Sequence, residues 1–258
     1  MMNNDNDYAS AAQLLRNARH VVILTGAGIS AQSGIPTFRD ALTGFWKSFD
    51  PQQLATAAAF RDNPALVWGW YEWRRQLVKQ ARPNAAHHAL VALSRRVPHV
   101  TVITQNVDDL HERAGSTEVV HLHGNINRPR CFACARGYDA VPCDTGELNG
   151  GPQEPPRCLR CNGRIRPGVV WFGEPLPQAE LRLALKAAKI CDLLISIGTS
   201  GVVYPAATLP GLARDHGAAV VHINTDSIEV QTDLLLQGSA DACLIRLLAL
   251  AFGNTAIN

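Results

Sequence analysis

Two pairs of cysteines are the most specific chemical signal in the sequence. Cys131 and Cys134 form one C-x-x-C pair, and Cys158 and Cys161 form the second. Thiolates spaced in this way, in a segment rich in proline and glycine, are typical of a tetrahedral zinc site. Four thiolates complete the coordination shell and leave no position for a reactive water. The sequence therefore predicts one structural Zn²⁺; free thiols or redox pairs are the alternative.

Two polar stretches lie between an apolar run and the cysteine-rich segment. The stretch TQNVDDLHERAG places Asn106 and Asp108 directly after the apolar run. The stretch HLHG places His121 and His123 before a glycine. A histidine can act as a general base near neutral pH. Taken alone, each histidine is also compatible with a purely structural role.

A glycine-rich turn follows the first apolar run, in VVILTGAGISAQSG. Gly26, Gly28 and Ala31 fit the pattern G-x-G-x-x-A, in which a backbone loop can approach a pyrophosphate. A dehydrogenase would continue with an uninterrupted helix, a second strand and an acidic residue about 20 positions later. Gly34 and Pro36 interrupt such a helix within two turns. The pattern predicts a phosphate-binding loop but not a hydride-transfer enzyme.

The elements that must position these residues alternate along the chain. The apolar runs VVILT, VTVIT, VVWF, LLISI and VVHI each end in small or polar residues, and helical patterns over Asn84–Arg96 and Gln178–Ala188 separate several of them. This alternation predicts a Rossmann-like α/β domain with a doubly wound parallel sheet. Ligands bind at the carboxyl ends of the strands in this fold, which is where the polar residues lie.

Two segments break the alternation. One is helix-like and rich in tryptophan, and the other holds the cysteine pairs. We predict a discontinuous Rossmann-like domain and a smaller domain. The larger one would comprise residues 1–34, 84–127 and 166–258, and the smaller one a helical insertion (35–83) with a zinc module (128–165).

Composition excludes several classes of protein. The chain has 258 residues, with 24 Lys and Arg against 22 Asp and Glu. The small net charge of +2 argues against a dedicated nucleic-acid binder. No apolar run reaches transmembrane length, and the start MMNNDNDYASAAQLL lacks the features of a secretory signal. We expect a cytoplasmic monomer that contacts neither membrane nor nucleic acid.

The order of the motifs resembles the sirtuin family of NAD-dependent protein lysine deacylases. Eight motifs carry this resemblance and follow one another from about Asn17 to Cys243. In order, they are GAGIS, IPTFRD, TQNVD, HLHG, two C-x-x-C pairs, VVWFGE, GTS and a late N-T-D. The resemblance implies that NAD serves as an electrophile, not as a hydride carrier. The acyl amide oxygen of lysine would displace nicotinamide, leaving lysine, nicotinamide and O-acyl-ADP-ribose.

The resemblance also implies roles for individual residues. His123 would be the general base, with Asn106 and Asp108 completing the catalytic group, and His121 would be structural. Candidate NAD contacts are Gly26, Ala27, Gly28, Ser30, Phe38, Arg39, Trp46, Gln105, Asn106, Asp108, Gly198, Thr199, Ser200, Asn224, Thr225, Asp226 and Cys243. The substrate backbone would pair as a β-strand with Val170, Trp171, Phe172 and Gly173.

Within this family, the helical insertion resembles the desuccinylase and demalonylase class. Tyr71 and Arg74 are three residues apart, which places both on one face of a helix. Arginine presents a planar fork to a carboxylate, and tyrosine adds a hydroxyl donor. Ala55 matches a position where that class keeps a small residue. The resemblance therefore implies removal of succinyl and malonyl as well as acetyl groups.

Other functions remain compatible with the sequence. A plain deacetylase would leave Tyr71 and Arg74 as ordinary surface residues of a helix. A mono-ADP-ribosyltransferase would use a protein nucleophile in place of the amide oxygen. The alternative that is not an enzyme is an NAD-binding protein that recognises acylated lysine without catalysis.

Overall fold

A six-stranded parallel sheet forms the centre of the fold in a computed structural model that describes residues 5–36, 47–139, 151–227 and 233–253. The described residues contain the strands β1 (His20–Thr25), β2 (His99–Thr104), β3 (Val119–His121), β4 (Arg130–Cys131), β5 (Ile165–Arg166), β6 (Leu193–Ile197), β7 (Ala219–Asn224) and β8 (Leu234–Gln237). Strands β4 and β5 form a separate antiparallel pair, and the other six form the sheet. The sheet has the order β3-β2-β1-β6-β7-β8. The order reverses between β1 and β6, so their carboxyl ends flank the crevice where ligands bind in such sheets.

Helices cover both faces of the sheet. They are α1 (Asp5–Asn17), α2 (Pro51–Leu54), α3 (Ala57–Asp62), α4 (Pro64–Gln80), α5 (Ala85–Ser94), α6 (Leu110–Ala114), α7 (Gln178–Ile190), α8 (Leu209–Asp215) and α9 (Ala240–Phe252). Val21 and Ile23 of β1 pack towards α1, α5 and α9, whereas Val22 and Leu24 pack towards α7 and α8. Burial on both faces explains why the strands read as continuous apolar runs.

A separate hydrophobic core joins the tryptophan-rich segment to the cysteine-rich segment. Phe60 of α3 and Trp70 of α4 pack in one buried cluster with Ile165 and Trp171. Each of the helices α2, α3 and α4 starts at a residue whose side chain accepts a backbone N–H: Asp50, Thr56 and Asn63. The helix caps and the shared core define the smaller part of the structure. The domain boundaries given in the sequence analysis stay a prediction.

The Rossmann-like sheet predicted from the sequence is confirmed, with differences in its strands. The run VVWF was expected to be a sheet strand, but Val169 and Phe172 make only isolated bridges, to Gly124 and Thr56. The short strands β3 and β8 were not predicted. Among the described residues, no helix combines the length and apolar character needed to cross a membrane.

Candidate functional site

Three glycines allow two loops to touch at the crevice between β1 and β6. A Cβ atom on Gly26 would lie 2.6 Å from the Gly198 carbonyl oxygen, and one on Gly28 would lie 2.7 Å from the Gly198 Cα. Gly198 itself has a φ of +59° and contacts Gly28 in return. Two short 3₁₀ turns follow, Ala27–Ile29 and Ala31–Ser33, in place of a long helix. The glycines thus allow the two backbone loops to lie close together. The prediction that no long helix follows the glycine-rich turn is confirmed.

The predicted polar residues converge next to this loop. Asn106 Nδ2 donates to Ser30 Oγ (3.1 Å), and Ser30 Oγ donates to Asp108 Oδ2 (3.1 Å). All three residues are buried. Burial raises the pKa of Asp108, although the Leu110 N–H and the Ser30 hydroxyl act against this. The carboxylate is therefore held at the site by these hydrogen bonds, and His121 also favours its charge electrostatically.

The two candidate histidines have different surroundings. His123 Nδ1 lies 2.9 Å from the Gln105 carbonyl oxygen, which fixes the hydrogen on Nδ1 and leaves a lone pair on Nε2. Burial lowers the pKa of His123, with the Gln105 hydrogen bond acting against it. His121 Nε2 instead pairs with Glu112 Oε1 at 2.6 Å. Burial opposes the charge on His121, but this pairing raises its pKa.

A cavity of about 850 Å³ adjoins the Gly198 loop. Its lining includes Gln105, Thr199 and Ser200, three of the predicted cofactor contacts. Asn224 Nδ2 donates to the Thr199 carbonyl at 2.9 Å and so ties the end of β7 to this loop. The cavity is large enough to hold part of a dinucleotide.

The segment from Val169 to Glu174 connects the histidine with the smaller core. The Val170 N–H donates to the His123 carbonyl (2.8 Å), and the Phe172 N–H donates to the Ala55 carbonyl (2.9 Å). The Trp171 N–H donates to Glu174 Oε2 (2.9 Å). The N–H groups of Val170, Trp171 and Phe172 are therefore already bonded, and the pairing of this segment with a substrate strand stays a prediction.

Trp171 holds the hydroxyl of Tyr71. The indole Nε1–H of Trp171 donates to Tyr71 Oη at 3.1 Å, and both side chains are buried. The Arg166 guanidinium lies 3.4 Å from the centroid of the Trp171 ring and forms an ion pair with Glu174. The Trp171 side chain therefore supports Tyr71, and the pairing of its backbone with a substrate strand stays a prediction.

Tyr71 lies inside the smaller core, whereas Arg74 is partly exposed beside it, with its guanidinium 5.0 Å from the centroid of the Trp70 ring. Burial raises the pKa of Tyr71 to about 12, so its hydroxyl is neutral. Burial lowers the pKa of Arg74, whereas Tyr71 and Asp108 act to raise it. The neighbouring Arg75 is also mostly buried, since it pairs with Glu72 and donates to the Ile126 carbonyl.

Some predicted cofactor contacts are not placed at this site. Phe38, Arg39 and Trp46 lie outside the described residues. Cys243 lies in the core, 2% exposed, with its thiol donating to the Leu236 carbonyl. The thiol therefore points into the core, and the contact of Cys243 with the cofactor stays a prediction.

The four cysteines of the two C-x-x-C pairs form a cluster. All four Sγ atoms lie within 4.8 Å of one another, with 3.5 Å between Cys131 and Cys161 and 3.8 Å between Cys134 and Cys158. A tetrahedral zinc with sulfur ligands at about 2.3 Å requires Sγ–Sγ distances of about 3.8 Å. The donor set and its spacing fit one structural zinc ion.

Replacing Cys158 with serine is expected to remove the zinc and to destabilise the module, because β4 and β5 are too short to fold without it. Metal content measured by plasma emission should fall from about one ion per chain to near zero. Cys191→Ser is the matched control, since Cys191 is buried against α7 and away from the cluster. Full zinc content in a soluble Cys158→Ser protein would contradict the assignment.

Known proteins match this arrangement closely. The model of the Sir2 family matches residues 26–205. A protein of Pseudomonas aeruginosa named NAD-dependent protein deacylase 1 is 57% identical over 94% of this chain and 98% of its own length. An NAD-dependent protein deacylase of Methylococcus capsulatus is 57% identical over 81% of this chain and 83% of its own. A crystal structure of a Sir2 homologue–NAD complex superposes with a TM-score of 0.84, at 39% identity over 96% of this chain and 94% of that one.

The chain belongs to the Sir2 family, that is, to the sirtuins. It is an NAD-dependent protein deacylase. NAD is its co-substrate, and the cysteine cluster corresponds to a structural zinc site.

Proposed function

We propose that this deacylase prefers acidic acyl groups, such as succinyl and malonyl, on lysine side chains of proteins. The observation that carries the proposal is the pairing of Tyr71, which is buried, with Arg74, which is partly exposed one turn later on α4 and interacts electrostatically with Asp108. A plain acetyl group has no charge that would match this guanidinium.

The Tyr71 hydroxyl is oriented as a donor. Its oxygen accepts the indole hydrogen of Trp171, so its own hydrogen points elsewhere. Because its pKa lies at about 12, it stays protonated and does not repel an anion. Arg74 adds a planar guanidinium, which binds carboxylates in bidentate fashion. A hydroxyl donor and a cation on one helix face together favour a carboxylate.

The contacts of the chain bring this pair close to the proposed chemistry. Trp171, which bonds Tyr71, lies between Val170 and Phe172, and these bond the carbonyls of His123 and Ala55. Asp108 acts electrostatically on Arg74. The small residue Ala55 lies next to this segment, since its carbonyl accepts the Phe172 N–H. We call Tyr71 and Arg74 together the carboxylate clamp. An acyl chain that enters past Phe172 would thus meet His123 and NAD first, and the carboxylate at the far end of the chain would meet the clamp.

The remaining site residues divide between the parts of NAD. Gly26, Ala27 and Gly28 suit the pyrophosphate, since they form a glycine-rich turn at the crevice, where the Gly28 N–H bonds the Gly198 carbonyl. Ser30, Asn106 and Asp108 suit the nicotinamide and its ribose. The adenosine half is assigned to Gly198–Ser200 and to Asn224–Asp226. His123 would take the proton of a ribose hydroxyl at its Nε2, because Nδ1 is bonded to Gln105.

The pH profile is expected to reflect a neutral His123. A general base must be unprotonated, so activity is lost as pH falls through its pKa. Burial lowers that pKa from 6.5, so kcat/KM should stay constant near neutrality and decline with a midpoint below pH 6.5. A pH series of initial rates measures this, and a midpoint well above 6.5 would contradict the assigned base.

A comparison of acyl groups on one peptide tests the proposed function. The peptide carries acetyl-lysine or succinyl-lysine and is incubated with and without NAD, and the products are identified by mass spectrometry. We expect NAD-dependent release that favours succinyl and yields O-succinyl-ADP-ribose. Preferential release of acetyl would overturn the acidic preference, and ADP-ribose retained on protein would indicate a transferase.

A further inference from the structure

A closed ring of hydrogen bonds surrounds the polar loop that follows β2. Thr104 Oγ1 accepts the Asn106 N–H (3.0 Å), and Thr25 Oγ1 donates to Thr104 Oγ1 (2.9 Å). His111 Nε2 lies 3.0 Å from Thr25 Oγ1. On the other side, the Leu110 N–H donates to Asp108 Oδ1 (3.1 Å), and the ring closes because Leu110 and His111 are consecutive residues of α6.

The ring passes through every residue proposed for the nicotinamide pocket. Asn106 donates to Ser30, and Ser30 donates to Asp108. His111 is the one titratable member with no part in the proposed chemistry. It is 1% exposed, as deeply buried as Thr25 and Thr104, which are 0% exposed.

The direction of these bonds fixes the tautomer of His111. The Thr25 hydroxyl gives its hydrogen to Thr104, so it can only accept from His111. His111 Nε2 must therefore carry a hydrogen, and Nδ1 must carry a lone pair. In agreement, Nδ1 of His111 is buried without a hydrogen-bond partner among the described residues.

The environment keeps His111 neutral. Its ring lies at 5.0 Å, edge to face, from the ring of His87, a second buried histidine. Glu112 and His121 exert opposing effects on its charge, but burial dominates and lowers the pKa of His111 to about 4. Burial likewise lowers the pKa of His87 to about 3. Both rings thus act as fixed neutral hydrogen-bonding groups at physiological pH.

We propose that His111 is a positioning residue of the NAD site, which holds Asn106 in place through the hydroxyls of Thr25 and Thr104. The Nε2–H of His111 orients the Thr25 hydroxyl, and Thr25 orients the lone pairs of Thr104 towards the Asn106 N–H. Without that donor the Thr25 hydroxyl can turn away, and the loop bearing Asn106 and Asp108 loses its preorganised position. The inference rests on the proposed assignment of Ser30, Asn106 and Asp108 to NAD.

Two uncharged replacements of His111 distinguish positioning from simple packing. Glutamine can present an N–H near the Nε2 position, whereas asparagine carries its amide near Nδ1 and cannot reach Thr25. We expect His111→Asn to raise the KM for NAD about tenfold, the effect of about one buried neutral hydrogen bond. His111→Gln should restore it to within about twofold. The KM for the acylated peptide should not change in either variant. His88→Gln, on the exposed side of α5, is the matched control and should leave the KM for NAD unchanged.

Thr25→Val offers an independent test, because it removes only the hydroxyl from a side chain of the same shape. It should raise the KM for NAD as His111→Asn does, and the two changes together should not add. ¹⁵N NMR of the unaltered protein should show hydrogen on Nε2 of His111. Hydrogen on Nδ1, or an unchanged KM for NAD in both His111→Asn and Thr25→Val, would overturn the inference.

Asn106→Ala separates this inference from the proposed function. If Asn106→Ala binds NAD as tightly as the unaltered protein in calorimetry, the proposed pocket itself is wrong. If it loses NAD while Thr25→Val and His111→Asn retain it, the pocket stands and only the role of His111 is wrong.

Discussion

Replacing His123 with alanine is expected to reduce deacylation by a factor of about 10²–10⁴, the usual contribution of a positioned general base. The reason is geometric. The Gln105 carbonyl fixes the hydrogen on Nδ1, so Nε2 is the basic atom, and alanine leaves no other group there. The rate of O-acyl-ADP-ribose formation, followed by mass spectrometry at saturating NAD and peptide, measures the loss.

The loss should occur without damage to the fold. His123 has no part in the cysteine cluster, so zinc content should stay at about one ion per chain. His216→Ala is the matched control, since His216 is exposed at the end of α8, where its Nδ1 lies 2.9 Å from the Leu212 carbonyl oxygen. Turnover by His123→Ala within a few-fold of the control would show that another group serves as the base.

The parts of the fold that depend on local patterns were predictable from the sequence. Continuous apolar runs such as VVILT and LLISI can be buried on both faces only in a covered parallel sheet, and both are strands of that sheet. The run VVWF has the same composition and yet forms no strand of the sheet. Its backbone donors bond His123, Ala55 and the nearby Glu174 instead. The first two of these contacts join distant segments, and composition does not encode them.

The site residues that could be predicted from the sequence are those that belong to short motifs with a characteristic residue type. The cysteine pairs, the close approach of Gly26 and Gly28, and the polar residues after β2 all follow from short motifs. The supporting residues were missed because their roles depend on partners remote in sequence. Arg75, for example, pairs with Glu72 and donates to the carbonyl of Ile126, a residue remote in sequence. The small polar residues Thr25 and Thr104 end two neighbouring strands, and this was the one signal that could have revealed the ring.

Replacing Arg74 with methionine is expected to separate two activities. Methionine keeps much of the length and apolar character of the arginine stem but provides no donor and no charge. A buried bidentate contact with a carboxylate contributes about 2–3 kcal/mol, so kcat/KM for a succinylated peptide should fall about 100-fold. For the acetylated peptide, kcat/KM should fall by less than about threefold, since acetyl does not reach the clamp.

The ratio of the two activities is the informative quantity, because partial unfolding or loss of NAD binding would lower both together. Arg82→Met, at an exposed arginine just beyond α4, is the matched control and should leave the ratio unchanged. Tyr71→Phe should lower the ratio less than Arg74→Met, since it removes one neutral donor and leaves the cation. It also leaves the Trp171 indole N–H without an acceptor, so its stability is measured alongside. Equal losses of both activities in Arg74→Met would assign Arg74 to the packing of the smaller core and not to recognition of the acyl group.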